Sequence, residues 1–172
     1  MITLTNIKGH TFKFTNLNQK VEKIDIQTPL YANEIVTTDS KGMAVIDFND
    51  EVIGTVILAP NTQVILRKST TDGIRLLSLV RGHLRLYRDK EYQKKKVGVL
   101  INIRDNPTAY YGSNFEVQYS KESKKVTSFN KSLRKFKLNK KKILTTPLKN
   151  EEKTDELDQE LYEDLKFLQE ST

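Results

Sequence analysis

The sequence predicts an all-β protein of serial hairpins, and three observations predict it. From about Thr28 to Leu138, short apolar runs recur too closely to leave room for helices between them. Turn-forming clusters separate the runs: Asp39-Ser40-Lys41-Gly42, Asn49-Asp50, Ala59-Pro60-Asn61-Thr62 and Asp72-Gly73. Within several runs, apolar and polar side chains alternate at the period of a half-buried strand. Such hairpins would build a β-roll, a solenoid-like or a sandwich-like module, followed by one C-terminal amphipathic helix.

Taken in order, Thr11-Phe12-Lys13-Phe14 and Val21 to Ile26 each place apolar side chains on one face, with a turn over Asn16–Lys20 between them. Thr28-Pro29 enters the next strand extended, because proline disfavours helix in the residue before it. Ala44, Ile46 and Phe48 share a face opposite Val45 and Asp47. Val64-Ile65-Leu66 is apolar on both faces, as in a covered strand. Asp72-Gly73 suits a hairpin turn into the long run Leu76–Tyr87. Gly82, inside that run, marks a bulge or a close backbone approach. After a polar stretch from Arg88 to Lys96, strands resume at Val97–Ile103, Tyr110-Tyr111, Phe115–Tyr119 and Val126–Phe129. Periodicity is lost across Asn130–Pro147. Leu157, Leu161, Leu165 and Leu168, spaced four, four and three apart, then form one helical stripe, with acids crowding the first turns. The chain therefore divides into a β domain over 1–130, a basic linker or irregular segment over 131–150 and an acidic amphipathic helix over 151–172.

Charge is placed unevenly along the 172 residues. Nine acids against two lysines leave residues 151–172 at −7, so residues 1–150 carry +14 of a chain whose total is +7. Residues 131–149 hold eight Lys or Arg and no acid. A basic body with an acidic tail calls for an outside polyanion or for internal neutralisation. Zero cysteines exclude disulfides, thiolate chemistry and Cys-based metal sites. No apolar run approaches the 18 residues of a membrane span. The N-terminus, Met1–Asn6, lacks a signal peptide's basic start and apolar stretch.

Catalytic signatures are missing. His10 and His83 are the only histidines, and neither sits in a metal-binding spacing. Asp47, Asn49, Asp50 and Glu51 could offer oxygens to calcium but lack EF-hand spacing, and a solvated turn is the simpler reading. No phosphate-binding glycine loop or nucleophile elbow occurs. No cofactor is expected. Candidate polyanion contacts are Lys94, Lys95 and Lys96, beside Tyr87 and Tyr92, and Arg134, Lys135, Lys137, Lys140, Lys141 and Lys142, around Phe136. The bland alternative is a solvated lysine-rich surface. The stripe of Leu157, Leu161, Leu165 and Leu168 is a candidate partner helix, docking either on the β module or in another protein's groove.

Four segments, in order, carry a family resemblance: Val36-Thr37-Thr38; Gly42-Met43-Ala44-Val45-Ile46-Asp47-Phe48-Asn49-Asp50; Leu58-Ala59-Pro60-Asn61-Thr62-Gln63-Val64-Ile65-Leu66; and Leu77 to Leu86 with Gly82 at its centre. A later block, Asn106-Pro107-Thr108-Ala109 through Gly112 to Phe115-Glu116-Val117, follows the same pattern. The set resembles the FecR domain family, β-rich bacterial extracytoplasmic modules that include sensor regions of transmembrane regulators. The resemblance implies an isolated, non-enzymatic binding or scaffold module in protein interaction or envelope signalling. It implies the periplasm or cell envelope if a signal peptide was removed; the cytoplasm follows if Met1 is the true start. The motif glycines and Pro60-Asn61 read as turn formers, and Ala44, Phe48, Val64, Leu66, Leu79 and Leu84 as core. A protein partner is expected, and nucleic acid or an anionic polymer is the alternative.

Overall fold

The structure, a computed structural model, describes residues 1–15, 20–48, 54–68, 75–88, 99–130 and 133–138. Among them there are fourteen strands and no α-helix. The strands are β1 (Thr3–Lys8), β2 (Thr11–Phe14), β3 (Glu22–Ile24), β4 (Thr28–Pro29), β5 (Ile35–Thr38), β6 (Met43–Asp47) and β7 (Thr55–Leu58). They continue with β8 (Gln63–Leu66), β9 (Arg75–Tyr87), β10 (Val99–Ile103), β11 (Thr108–Tyr111), β12 (Asn114–Tyr119), β13 (Lys124–Ser128) and β14 (Arg134–Lys137). The all-β expectation is met. No described helix is long and apolar enough to cross a membrane.

The strands form one continuous sheet that folds on itself into a nearly closed, barrel-like shape around β9. The C-terminal half of β9 joins a front layer, pairing with β7 and β12 through Gly82–Tyr87. Its N-terminal half joins a back layer, pairing with β8 and β10 through Arg75–Arg81. The front layer continues from β7 through β6 and β1 to β4, and from β12 to β13. The back layer continues from β8 through β5 and β2 to β3, and from β10 through β11 to β14. Thirteen residues of strand let β9 serve both layers, and a strand that changes sheets does so at a bend or bulge. Gly82 supplies the bend: its φ is +105°, and the β8–β9 register slips beside it.

Apolar side chains from both layers meet in one core. Leu4, Ala44, Ile46, Val56, Leu58, Leu84, Leu86, Phe115 and Val117 come from the front, and Val36, Val64, Leu66, Leu77, Leu79, Ile101 and Tyr110 from the back. The six residues expected in the core are all buried there. Ala44, Ile46 and Phe48 point inward as the alternation requires, and Val64-Ile65-Leu66 is covered on both faces.

Pairing differs from a run of serial hairpins. Six of the thirteen described pairings join consecutive strands, five of them antiparallel; the others, such as β1–β6, β5–β8 and β7–β9, join distant ones. β9 and β10 are parallel, which needs a crossover rather than a tight turn. Long-range pairing gives most strands two neighbours and leaves few open edges, which stacked hairpins would not.

Two expectations are corrected. The segment expected to be a linker from 131 contributes β14, whose Arg134 to Lys137 pair with Tyr111 to Thr108; Leu138 beyond it is buried. A lysine-rich strand with few apolar positions hides its period, which is why the pattern is lost there. In β2 the faces are reversed: Thr11 and Lys13 are buried, while Phe12 and Phe14 are partly exposed. Lys13 is tolerated inside because acceptors meet it, as described below. The turns at 16–19, 49–50 and 72–73, and the helix at 151–172, lie outside the described residues.

Candidate interaction surface

Period two sends Leu84 and Leu86 of β9 inward, so His83, Arg85 and Tyr87 face out from the front layer. Register then builds rows across this face. Val45 stands opposite Ile57, Ile57 opposite Arg85, Arg85 opposite Glu116, and Glu116 opposite Thr127. Beside that row, Asp47 is opposite Thr55, Thr55 opposite Tyr87, and Tyr87 opposite Asn114.

Arg85 organises the centre. Its Nε donates to Asn114 Oδ1 at 3.0 Å, and its guanidinium lies 4.1 Å from the centroid of the Phe129 ring. Its Nη1 is 3.9 Å from Glu116 Oε1, while His83 Nε2 is 3.0 Å from Glu116 Oε2. Phe129 is held by its own N–H, which donates to Asn114 O at 3.0 Å. Around the arginine, Tyr87 is 56% exposed, Phe129 46% and Ile57 37%. Two aromatics, an aliphatic and a stacked arginine thus share a firm, pleated platform.

Behind the platform lies a polar joint made of residues from the sequence motifs. The Thr38 hydroxyl donates to Ala59 O at 2.7 Å and accepts the Thr62 N–H at 3.0 Å. The Thr62 hydroxyl accepts the His83 N–H at 3.0 Å and donates to His83 O at 3.1 Å. Asp39 O receives the N–H groups of Gly42 and Asn61, both at 3.0 Å. The Asp39 carboxylate accepts the His10 N–H at 3.2 Å, faces His10 Nδ1 at 2.8 Å and accepts the Lys41 N–H at 3.2 Å. The bond from the His10 backbone, then that from its side chain, hold the Asp39 carboxyl below its ordinary value. A side chain at Gly82 would collide with Thr62, its Cβ only 2.4 Å from Oγ1. The joint therefore fixes where β9 turns, and with it the direction of His83, Arg85 and Tyr87.

A second polar cluster sits at the opposite margin. Lys13 Nζ donates to Pro29 O at 2.8 Å, lies 3.2 Å from Glu34 Oε2 and 3.8 Å from Glu22 Oε2, and stands 5.8 Å from the Tyr31 ring centroid. A cleft of about 520 Å³ opens beside it, lined by Lys13, Phe14, Lys20, Glu22, Lys23 and Glu34 among others. With this many acceptors around one ammonium, Lys13 is an anchor for β2 rather than a nucleophile. Among the described residues no group of three or more metal-ligating side chains occurs.

The candidate polyanion contacts fare unevenly. Arg134, Lys135 and Lys137 fall on β14, where Lys135 and Lys137 share one face and Arg134 takes the other. A single basic face is thus not formed by these three. Lys94, Lys95, Lys96, Lys140, Lys141 and Lys142 lie outside the described residues, as do Leu157, Leu161, Leu165 and Leu168. Sequence reading did not single out Arg85, although its alternation with Leu84 and Leu86 places it outward beside Tyr87. Phe129 had no such signal, because its contact with Arg85 depends on β12 and β13 pairing far from β9 in sequence.

No family model, no curated protein and no solved structure matches the chain. The platform is therefore read from its own chemistry.

Proposed function

We propose that the protein is a non-enzymatic binding module that receives a protein partner on the outer face of its front layer. The observation that carries this is the exposed set of Ile57, Tyr87 and Phe129 around the stacked guanidinium of Arg85. Tyrosine, phenylalanine and arginine are enriched in protein interfaces, and tyrosine and arginine among their hot spots. Glu116 and Asp47 on the same face favour a partner of mixed charge over a polyanion. The FecR resemblance supports the same reading, with a sandwich-like module in envelope signalling as its finer form. The motif residues Thr38, Pro60, Asn61, Thr62 and Gly82 meet in the joint that aims the platform, a scaffold role suited to such a module.

The test compares the intact protein with Arg85→Ala, Tyr87→Ala and Phe129→Ala in affinity capture from a cell-envelope fraction, followed by titration of any captured protein. Each variant should weaken that binding about tenfold or more while keeping the wild-type circular dichroism spectrum. Lys23→Ala, away from the platform, should bind as wild type. Undiminished capture by all three platform variants defeats the reading. If retention instead follows oligonucleotide or anionic polymer and collapses with added salt, the polyanion alternative takes its place.

A further inference from the structure

The two layers differ in their outer faces. On the front, outward residues are partly exposed. On the back, Ile35, Ile65, Leu76, Leu100 and Ala109 are 6% exposed or less, yet they stand apart from the main core cluster. Register puts them on the face turned away from that core. Ile35 is opposite Ile65, Ile65 opposite Ser78, Ser78 opposite Asn102, and Asn102 opposite Ala109; Leu76 is opposite Leu100. A polar line crosses this second apolar layer: Arg67 Nε donates to Ser78 Oγ at 3.2 Å, Ser78 Oγ to Asn102 Oδ1 at 2.7 Å, and Asn102 Nδ2 to Asn106 O at 3.0 Å. Every described strand belongs to one of the two layers, and the front layer lies against the other face. No described strand therefore covers this one.

Composition points to the cover. The segments 16–19, 49–53, 69–74 and 89–98 are short and mostly polar, and 139–150 offers Ile143, Leu144 and Leu148 without a repeated helical spacing. Residues 151–170 carry Leu157, Leu161, Leu165 and Leu168 at one helical spacing, with Tyr162 and Phe167 beside them and a strongly acidic remainder. At the rim of the back face Arg67 and Arg104 lie near each other, with Asp105 the acid beside them, its Oδ2 3.8 Å from Arg104 Nε. Burial and then the neighbouring Arg104 hold the Arg67 guanidinium below its ordinary value, with Asp105 opposing them in part. Reach is sufficient. The chain leaves the described residues at buried Leu138, next to β14 on the margin of this same layer. The twelve residues 139–150 extend up to about 40 Å, against roughly 19 Å for the four strand spacings from β14 to β8.

We propose that residues 151–170 dock in cis on the outer face of the back layer, with the leucine stripe over Ile65, Leu76 and Leu100 and the acids toward Arg67 and Arg104. This goes beyond the front-face reading and uses none of its residues. It assigns the stripe to the chain's own fold and leaves the front platform as the face open to a partner.

The absence of cysteine allows a clean test in the full chain. Gln159→Cys, carrying a nitroxide spin label on isotope-labelled protein, should broaden the amide signals of Leu76, Ser78, Leu100 and Asn102. A mixture of spin-labelled, isotope-free protein with unlabelled-side-chain, isotope-labelled protein should not. Broadening of equal strength in that mixture makes the occupant a second copy and overturns the proposal. Absence of back-layer broadening in both samples also overturns it. Independently, Leu161→Asp with Leu165→Asp should speed hydrogen exchange at those back-layer amides at least tenfold while Leu84 and Val117 exchange as before. Unchanged exchange in the back layer counts against docking.

Discussion

Gly82 shows how much one residue decides. Its backbone has φ +105°, a region that disfavours any side chain, and a Cβ there would meet Thr62 Oγ1 and Cα at 2.4 and 2.5 Å. Gly82→Ala should cost about 3 kcal/mol, read by urea denaturation, because backbone strain and the displaced joint act together. Asp39 gives a pH signature at the same joint. Its carboxyl is held below the ordinary aspartate value in the fold. The stabilisation is therefore complete above that ordinary value, near pH 4, and is lost as pH falls through the lower folded value. Asp39→Asn should flatten the acid side of the stability profile, measured as melting temperature between pH 2 and 5. A wild-type acid slope in that variant would remove Asp39 from the account. Gly82 was legible as an irregularity in an apolar run. Asp39 was legible only as a turn residue, because its partner His10 is 29 positions away.

At the scale of the strand, β2 shows where alternation misleads. Phe12 and Phe14 name the apolar face, yet Lys13 is the residue turned inward, its side chain 8% exposed beside Glu34 at 13%. The acceptors at Pro29 and Glu34 reverse the choice, and nothing within β2 itself announces them. Removing one partner from a buried pair typically costs about 3–5 kcal/mol, whereas replacing both can be nearly neutral; Pro29 O and Glu22 still face Lys13, so the low end of that range applies. Glu34→Ala should accordingly destabilise by about 3 kcal/mol, and Lys13→Met with Glu34→Ala should recover more than half of that loss. A double variant as unstable as the sum of the singles would show that the two residues act separately. Strands with a strong apolar face, such as β6 and β12, were legible in place and facing. β14 was not, since basic residues occupy both of its faces and only pairing with β11 gives it order. Pairing partners were the least legible feature, because alternation says which side chains are buried but not which strand lies alongside.

Across the whole molecule, β9 ties the two layers into one cooperative unit. It is the sole described strand shared by both, and the core draws on each layer in nearly equal part. Neither layer can keep its inner face dry without the other, so partial unfolding would expose most of the buried apolar surface at once. Methyl signals from Leu77 in the back layer and Leu86 in the front should vanish at the same urea concentration. Gly82→Ala should lower both midpoints together, since the lesion lies between them on one strand. Separate midpoints would mean that the layers fold as independent halves and that β9 is a tether rather than a spine. The same topology sets the rate. Pairings such as β1–β6, β5–β8 and β9–β12 close long loops before any contact rewards them, and the parallel β9–β10 pair adds a crossover. Refolding should therefore take milliseconds to seconds rather than microseconds, as non-local β folds do. A microsecond phase that recovers all native signal would require local hairpins to carry the stability, which this pairing pattern does not provide.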